Sequence, residues 1–225
     1  MKYLAPFLAI GLLSCLVLRC EAQIGPFSGR VLDNEGKPAA AASIYWVQGY
    51  AGSARLVGAT HTDSSGSFVF QTRPPRQVLE QEHLVIEAAG AGATVVEPYE
   101  LRFRQDIFLA MPTTLRIRIV GETGKPIAGA RVGAAAIAVG PTQADLPDRL
   151  ISDFSAASDA HGVAVIHGLP QGGTALLTSS DRRYAFLVPE TTELSNVSIS
   201  ETKTRRLLDA ASIRGKVLDA SPGGR

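Results

Sequence analysis

The chain has 225 residues, with 22 Lys and Arg against 21 Asp and Glu for a formal net charge of +1, and 45% of its residues are hydrophobic. That composition fills a core and excludes wholesale disorder, a coiled coil, a collagen-like chain and a polytopic membrane protein. The near-zero charge argues against nucleic acid as a partner, because a surface that meets phosphates must be basic.

Residues 1–22 read as an export signal. Lys2 supplies a positive start, Leu4 to Leu18 is almost wholly apolar, and Arg19 ends the run. Cys20-Glu21-Ala22 sets small residues at the −3 and −1 positions of a peptidase site, so cleavage leaves Gln23 as the new N-terminus. An apolar run of about 15 residues is short against the ~20 of a spanning helix, so no membrane span is expected after cleavage. Two alternatives stand beside this reading. Leu12-Leu13-Ser14-Cys15 resembles a lipoprotein box with Cys15 as the lipidated residue, although Leu16-Val17-Leu18 prolongs the apolar run where a polar tether would begin. The other is a retained signal anchor. Both cysteines, Cys15 and Cys20, lie in this leader, so cleavage after Ala22 leaves no disulfide, thiolate nucleophile or Cys-ligated metal.

After the leader the chain alternates short apolar runs with turns. Arg30 to Leu32 is a strand, Asp33-Asn34-Glu35-Gly36 a polar turn whose Gly can adopt positive φ, and Ser43 to Val47 the next strand. Asp63-Ser64-Ser65-Gly66 is a second turn, and Ser67 to Phe70 leaves it with Phe68 and Phe70 on one face. Leu84 to Ile86 and Ile107 to Leu109 follow. Leu115 to Val120 alternates Leu115, Ile117 and Ile119 with Arg116 and Arg118, which means one buried and one wet face. Leu176-Leu177, Tyr184 to Val188 and Val197 to Ile199 close the strand list. Helical period is absent beyond the leader, save one turn each at Val78 to His83 and Pro147 to Phe154.

The strands repeat. Gly36-Lys37-Pro38 recurs as Gly124-Lys125-Pro126, an offset of 88 that also carries Ala42 onto Ala130 and Ile44 onto Val132. Thr62-Asp63 with Gly66 recurs as Ser158-Asp159 with Gly162 at an offset of 96, so the second copy holds about eight extra residues between the two motifs. A third start, Arg214-Gly215-Lys216-Val217-Leu218-Asp219, precedes Arg225. Many short strands separated by turns predict an all-β chain: two tandem antiparallel β-sandwiches of prealbumin-like or Ig-like type at residues 26–111 and 113–204. Residues 205–225 read as a linker and the first strand of a truncated third repeat.

Gly29, Val31, Asp33, Gly36, Pro38, Ala42, Ile44, Thr62, Asp63, Gly66 and Phe68 resemble the pattern of the carboxypeptidase regulatory-like family, exported sandwiches of transthyretin-like or starch-binding-like shape. The second copy departs at Gly121, where the pattern has Asp, and at Ala164, where it has Phe. The resemblance implies an accessory module found beside peptidases, receptors and surface arrays, some relatives of which bind carbohydrate. It implies no activity.

The chemistry-bearing residues point the same way. Asp33, Asp63 and Asp159, with Gly36, Gly66, Gly124 and Gly162 and with Pro38 and Pro126, are expected to serve turns. A calcium site needs about six oxygens, and each Asp63-type turn offers one carboxylate. His61, His83, His161 and His167 lack zinc-ligand spacing, and no G-x-S-x-G elbow is present. Lys203, Arg205, Arg206, Arg214 and Lys216 read as a solvated basic linker, and Asn196-Val197-Ser198 is a glycosylation sequon by pattern. Trp46 shares its parity with Ile44 and is expected in the core, leaving Tyr45 and Tyr50 as candidate ligand-facing aromatics. No catalytic residue, cofactor or metal is assigned. The expectation is a non-catalytic exported scaffold, spacer or binding module in the periplasm, on the outer surface or secreted, its partner a protein or polysaccharide. The alternatives are a carbohydrate-binding module built on Tyr45 and Tyr50, and an N-terminal piece of a larger envelope receptor or enzyme.

Overall fold

The computed structural model describes residues 27–49, 53–71, 81–179, 183–186, 191–194 and 202–209. The leader with Cys15, Tyr50, the run Val197 to Ile199 with its sequon, and the third-repeat start lie outside them.

The chain is all-β and forms two sandwiches in tandem. The first contains β1 (Phe27–Leu32), β2 (Ser43–Gly49), β3 (Arg55–His61), β4 (Ser67–Phe70), β5 (Gln81–Glu87), β6 (Thr94–Val96) and, after a 3-10 turn at Pro98–Arg102, β7 (Asp106–Phe108). Its sheets run β4-β1-β7 and β3-β2-β5-β6. Between them lie Val31, Ile44, Trp46, Phe68, Leu84, Ile86 and Ile107. Trp46 is fully buried, with its ring centre 5.3 Å from Phe27 and 5.2 Å, edge-on, from Phe70.

The second contains β8 (Pro112–Val120), β9 (Arg131–Val139), β10 (Thr142–Asp145), α1 (Asp148–Asp153), β11 (Ser155–Ala157), β12 (Val163–Pro170), β13 (Thr174–Ser179), β14 (Tyr184–Phe186), β15 (Thr191–Glu193) and β16 (Thr202–Asp209). Its sheets run β12-β8-β16-β14 and β10-β9-β13-β15, with β11 also on β9. Matching pairings make β8, β9, β12, β13 and β16 the counterparts of β1, β2, β4, β5 and β7. The place held by β3 is taken by β10 and β11 with α1 between them, which is where the extra residues of the second copy go.

Pairing is antiparallel except where the first strand of each module meets its last: β1 with β7, and β8 with β16, run parallel. These partners are separated by their whole module, so no hairpin imposes an antiparallel direction. Strand β16 also crosses the expected boundary at residue 204. Lys203, Arg205 and Arg206, read from sequence as linker, are strand residues of the second sandwich. Of the two isolated helical turns expected, the one at 147–154 is α1, while Gln81 to His83 open β5.

The turns share one construction. Asp63 Oδ1 accepts the backbone N–H groups of Ser65 and Ser67 at 2.8 and 3.0 Å, and Asp159 Oδ1 accepts those of His161 and Val163 at 2.8 Å each. Asp33 does the same for Glu35 and Lys37 at 2.9 Å. At Gly121 the carboxylate is missing, yet the backbone bonds between Gly121 and Lys125 and between Gly124 and Gly121 persist at 2.9 Å. Pro38 and Pro126 each bridge back to the strand before their turn, at Leu32 and Val120. The glycines differ in what surrounds them. Gly66 has φ 76° and a Cβ there would lie 2.4 Å from the Val31 carbonyl oxygen, whereas Gly36 at φ 83° faces open space. Gly36→Ala therefore carries only the left-handed penalty of about 1–2 kcal/mol. Gly66→Ala adds an overpacking cost of about 1–3 kcal/mol. Denaturant unfolding of the two variants should show Gly66→Ala as clearly the less stable; equal losses would contradict this account of the turn.

Candidate functional site

In the sheet β3-β2-β5-β6 the middle of β2 and of β5, and all of β6, are buried on both faces, while the edge strand β3 keeps Ala59 and His61 exposed. Ile44, Trp46, Leu84 and Ile86 point into the core of the first sandwich. The intervening Tyr45, Val47 and Val85, with Ala93 and Val95, belong instead to a single cluster with Leu146, Leu150 and Phe154 of the second module and with its core. An outer sheet face would ordinarily be polar; here the second sandwich covers it.

The seam has specific contacts beside its apolar ones. The Ala93 N–H donates to the Gly168 carbonyl at 2.9 Å, and the Gln171 N–H to that of Met111 at 2.8 Å. The Arg149 guanidinium on α1 sits over the Tyr45 ring, 5.8 Å from its centre. Tyr45 is 8% exposed. The expectation that it faces solvent is thereby corrected: β2 has no wet side, so alternation does not separate a core residue from a ligand-facing one. The exposed aromatic pair among the described residues is Tyr99 with Phe103, rings 6.1 Å apart, beside the 3-10 turn.

Among the described residues, cavities open along the seam. One, about 570 Å³, lies between His83 and Tyr99 of the first module and Thr142 of the second. Of two others, the larger, about 1010 Å³, lies between Val47 and His83 of the first module and Gln143, Asp145, Arg149 and Thr178 of the second. Burial lowers the His83 pKa, and the carboxylates of Glu97, Asp145 and Glu82 oppose that shift. The smaller, about 390 Å³, is lined by Glu87, Thr114, Asp153, Phe154 and His167. Burial, with a contribution from Asp153, pushes the Glu87 carboxyl up to about 7, and Arg149 pulls it partly back. One Glu87 carboxylate oxygen is buried without a hydrogen-bond partner among the described residues. A buried Gln48 spans Glu82 and Arg55 at 3.0 Å on each side, on the core face of the same sheet.

Of the residues singled out in the sequence, the aspartates and glycines sit in turns, Tyr45 at the seam, and Tyr50 outside the described residues. The structure packs Pro38 against Gly66 in the first module and Pro126 against Gly162 in the second, as paired turns at one end of each sandwich. The sequence weighs His83 only as a metal ligand and does not single out Glu87 or Arg149; the signal for the two groups on β5 is the apolar run Leu84-Val85-Ile86 between them, which marks a strand buried on both sides. Among the described residues, no group of three or more His, Cys, Asp or Glu is placed to hold a metal ion, and no helix is long and apolar enough to cross a membrane.

No protein-family model matches the chain, and no curated protein does. Among solved structures, a streptococcal ancillary pilin is similar over 84% of this chain and 63% of its own length, at 12% identity and a TM-score of 0.35. The D295N form of the shaft pilin SpaA from Lactobacillus rhamnosus GG matches over 84% and 99% of the two chains, at 11% identity and 0.30. The TIE protein of Bacillus anthracis matches over 83% and 34%, at 13% identity and 0.30. At these scores the similarity transfers no property of those proteins to this chain.

The seam makes stability depend on pH. Between about 4.5 and 7 the folded state holds a proton on Glu87 that the unfolded chain releases, so this group's contribution is complete below 4.5 and is lost as the pH rises through 7. His83, with a lowered pKa, acts in the opposite direction, adding stability as pH rises through its unfolded value near 6.5. Comparing Glu87→Gln with the wild type isolates the first effect. The variant should gain stability relative to wild type as pH rises from 4.5 to 8, measured by urea unfolding; a constant difference across that range would contradict the assignment.

Proposed function

We propose that this chain is a non-catalytic exported scaffold whose two sandwiches are joined into one rigid body, presenting loops and sheet faces to other molecules. The observation that carries this reading is the continuous apolar cluster running from Tyr45, Val47, Val85 and Val95 into the core of the second module. Modules meant to swivel are joined by smaller and more polar contacts. Here the seam buries the outward face of β2, β5 and β6, and the backbone bond from Ala93 to Gly168 fixes its register.

Export is the second element, and the leader at residues 1–22 supports it. The carboxypeptidase regulatory-like resemblance fits the same reading, and it rests on the turn and strand residues of the first copy. The carbohydrate alternative built on Tyr45 and Tyr50 loses one of its two rings, because Tyr45 lies beneath Arg149.

Two measurements test the reading. By calorimetry the full chain should unfold in one transition, and Val85→Asp, which places a carboxylate in the seam, should split it in two. Two transitions in the wild type would defeat the rigid-body reading. Expressed with its own leader in an exporting host, the protein should appear outside the cytoplasm beginning at Gln23; retention in the cytoplasm at full length would defeat the export reading.

A further inference from the structure

The outer face of β12-β8-β16 carries arginines that make no ion pair among the described residues, and the first module supplies an internal control for them. Arg30 on β1 and Arg118 on β8 occupy equivalent places, at the same 88-residue offset as the Gly-Lys-Pro turns. In the first module the residue across the parallel pair is Asp106, and Arg30 holds it with two bonds, Nε to Oδ1 at 2.9 Å and Nη2 to Oδ2 at 2.8 Å. In the second module the residue across from Arg118 is Thr204. Arg116 lies opposite Thr202, and Arg206 lies one strand over, level with Val120. Arg118, Arg206, Thr202 and Thr204 are exposed, and Arg116 is half-buried.

Their geometry follows from the pleat. Alternate residues on one strand lie about 6.6–7 Å apart, and a diagonal step to the next strand is about 7–8 Å, so Arg116, Arg118 and Arg206 form a line of evenly spaced positive charges. Among the described residues none of the three makes an ion pair within 4 Å. The nearby acid whose pKa Arg116 influences is Asp159, and its Oδ1 is already taken by the His161 and Val163 N–H groups. Like charges side by side on a sheet face oppose folding. The chain carries that cost here, while its own first copy, at the same place, neutralises the arginine.

We propose that this face binds a linear acidic polysaccharide, one that carries a carboxylate on each sugar. Arginines at intervals would pair with successive carboxylates. The threonine hydroxyls between them can donate to and accept from ring hydroxyls. Among the described residues, the apolar members of this face are the half-buried Val163 and Val165 with the buried Val120, short of the large apolar centre of a protein interface. A chain with net charge +1 is poorly matched to the phosphate density of a duplex. This inference goes beyond the scaffold reading and does not depend on the seam.

The test is isothermal titration of the full chain with polygalacturonate at low salt, with neutral dextran, a DNA duplex and phosphatidylglycerol vesicles as comparison arms. Polygalacturonate should bind, weaken as salt is raised, and outcompete the other three. The double variant Arg116→Ser/Arg118→Ser should lose affinity roughly tenfold or more, one guanidinium–anion contact being worth about a factor of ten. Thr204→Asp, which rebuilds the first module's ion pair on the second, should also weaken binding while leaving the thermal unfolding temperature unchanged or raised. Absence of polygalacturonate binding, equal binding by both variants, or tighter binding of DNA or vesicles would each overturn the proposal. None of these outcomes alters the single-transition unfolding that tests the rigid-body reading.

Discussion

The organising constraint is a pair of central strands, β2 and β5, with no wet face. Strands β2 and β5 place apolar side chains at consecutive positions, so whichever set fills the first sandwich, the other set must be covered. The second module provides the cover. In doing so it places α1, and with it Arg149, above Tyr45, and its insertion between β10 and β11 becomes the clamp of the seam. The inequality between the two copies therefore has a physical reason: a β3-like strand in the second module is interrupted so that a short helix can reach across.

The same constraint explains why the polar groups at the seam are perturbed. Glu87 and His83 lie on the covered side of β5, so each loses water, and each is shifted toward its neutral form. They are titratable groups caught at a contact between two sandwiches, with Asp153 and Arg149 as the neighbours that modulate Glu87 and with Glu97, Asp145 and Glu82 as those that modulate His83.

Much of the fold was legible in the sequence because the turns are chemically explicit. Asp63 and Asp159 accept backbone bonds that close a turn, and Gly66 and Gly162 supply the left-handed residue that follows. The repeat in these motifs gave two modules, and the extra residues of the second copy fall at α1. The seam was not legible, because alternation was read as one face in and one face out. Residues 44–47 and 84–86 are continuous apolar runs, and both of their faces are buried. In strand β3 Gly58 and Ala59, and in strand β9 the alanine run, dilute the β-branched signal, and neither strand is expected from the sequence. Strand β16 runs from Thr202 to Asp209, past residue 204, because it pairs with β8 in parallel across the whole module, and no local turn announces such a partner.

Native-state hydrogen exchange gives the most direct measure of whether the seam makes one body. Amides of β2 and β5 in the first module and of β8 and β9 in the second should exchange through the same global opening, with equal protection free energies that fall together in denaturant. If one set exchanged through a separate, cheaper opening while the other stayed closed, the sandwiches would be independent domains in contact and the account of a shared core would be wrong.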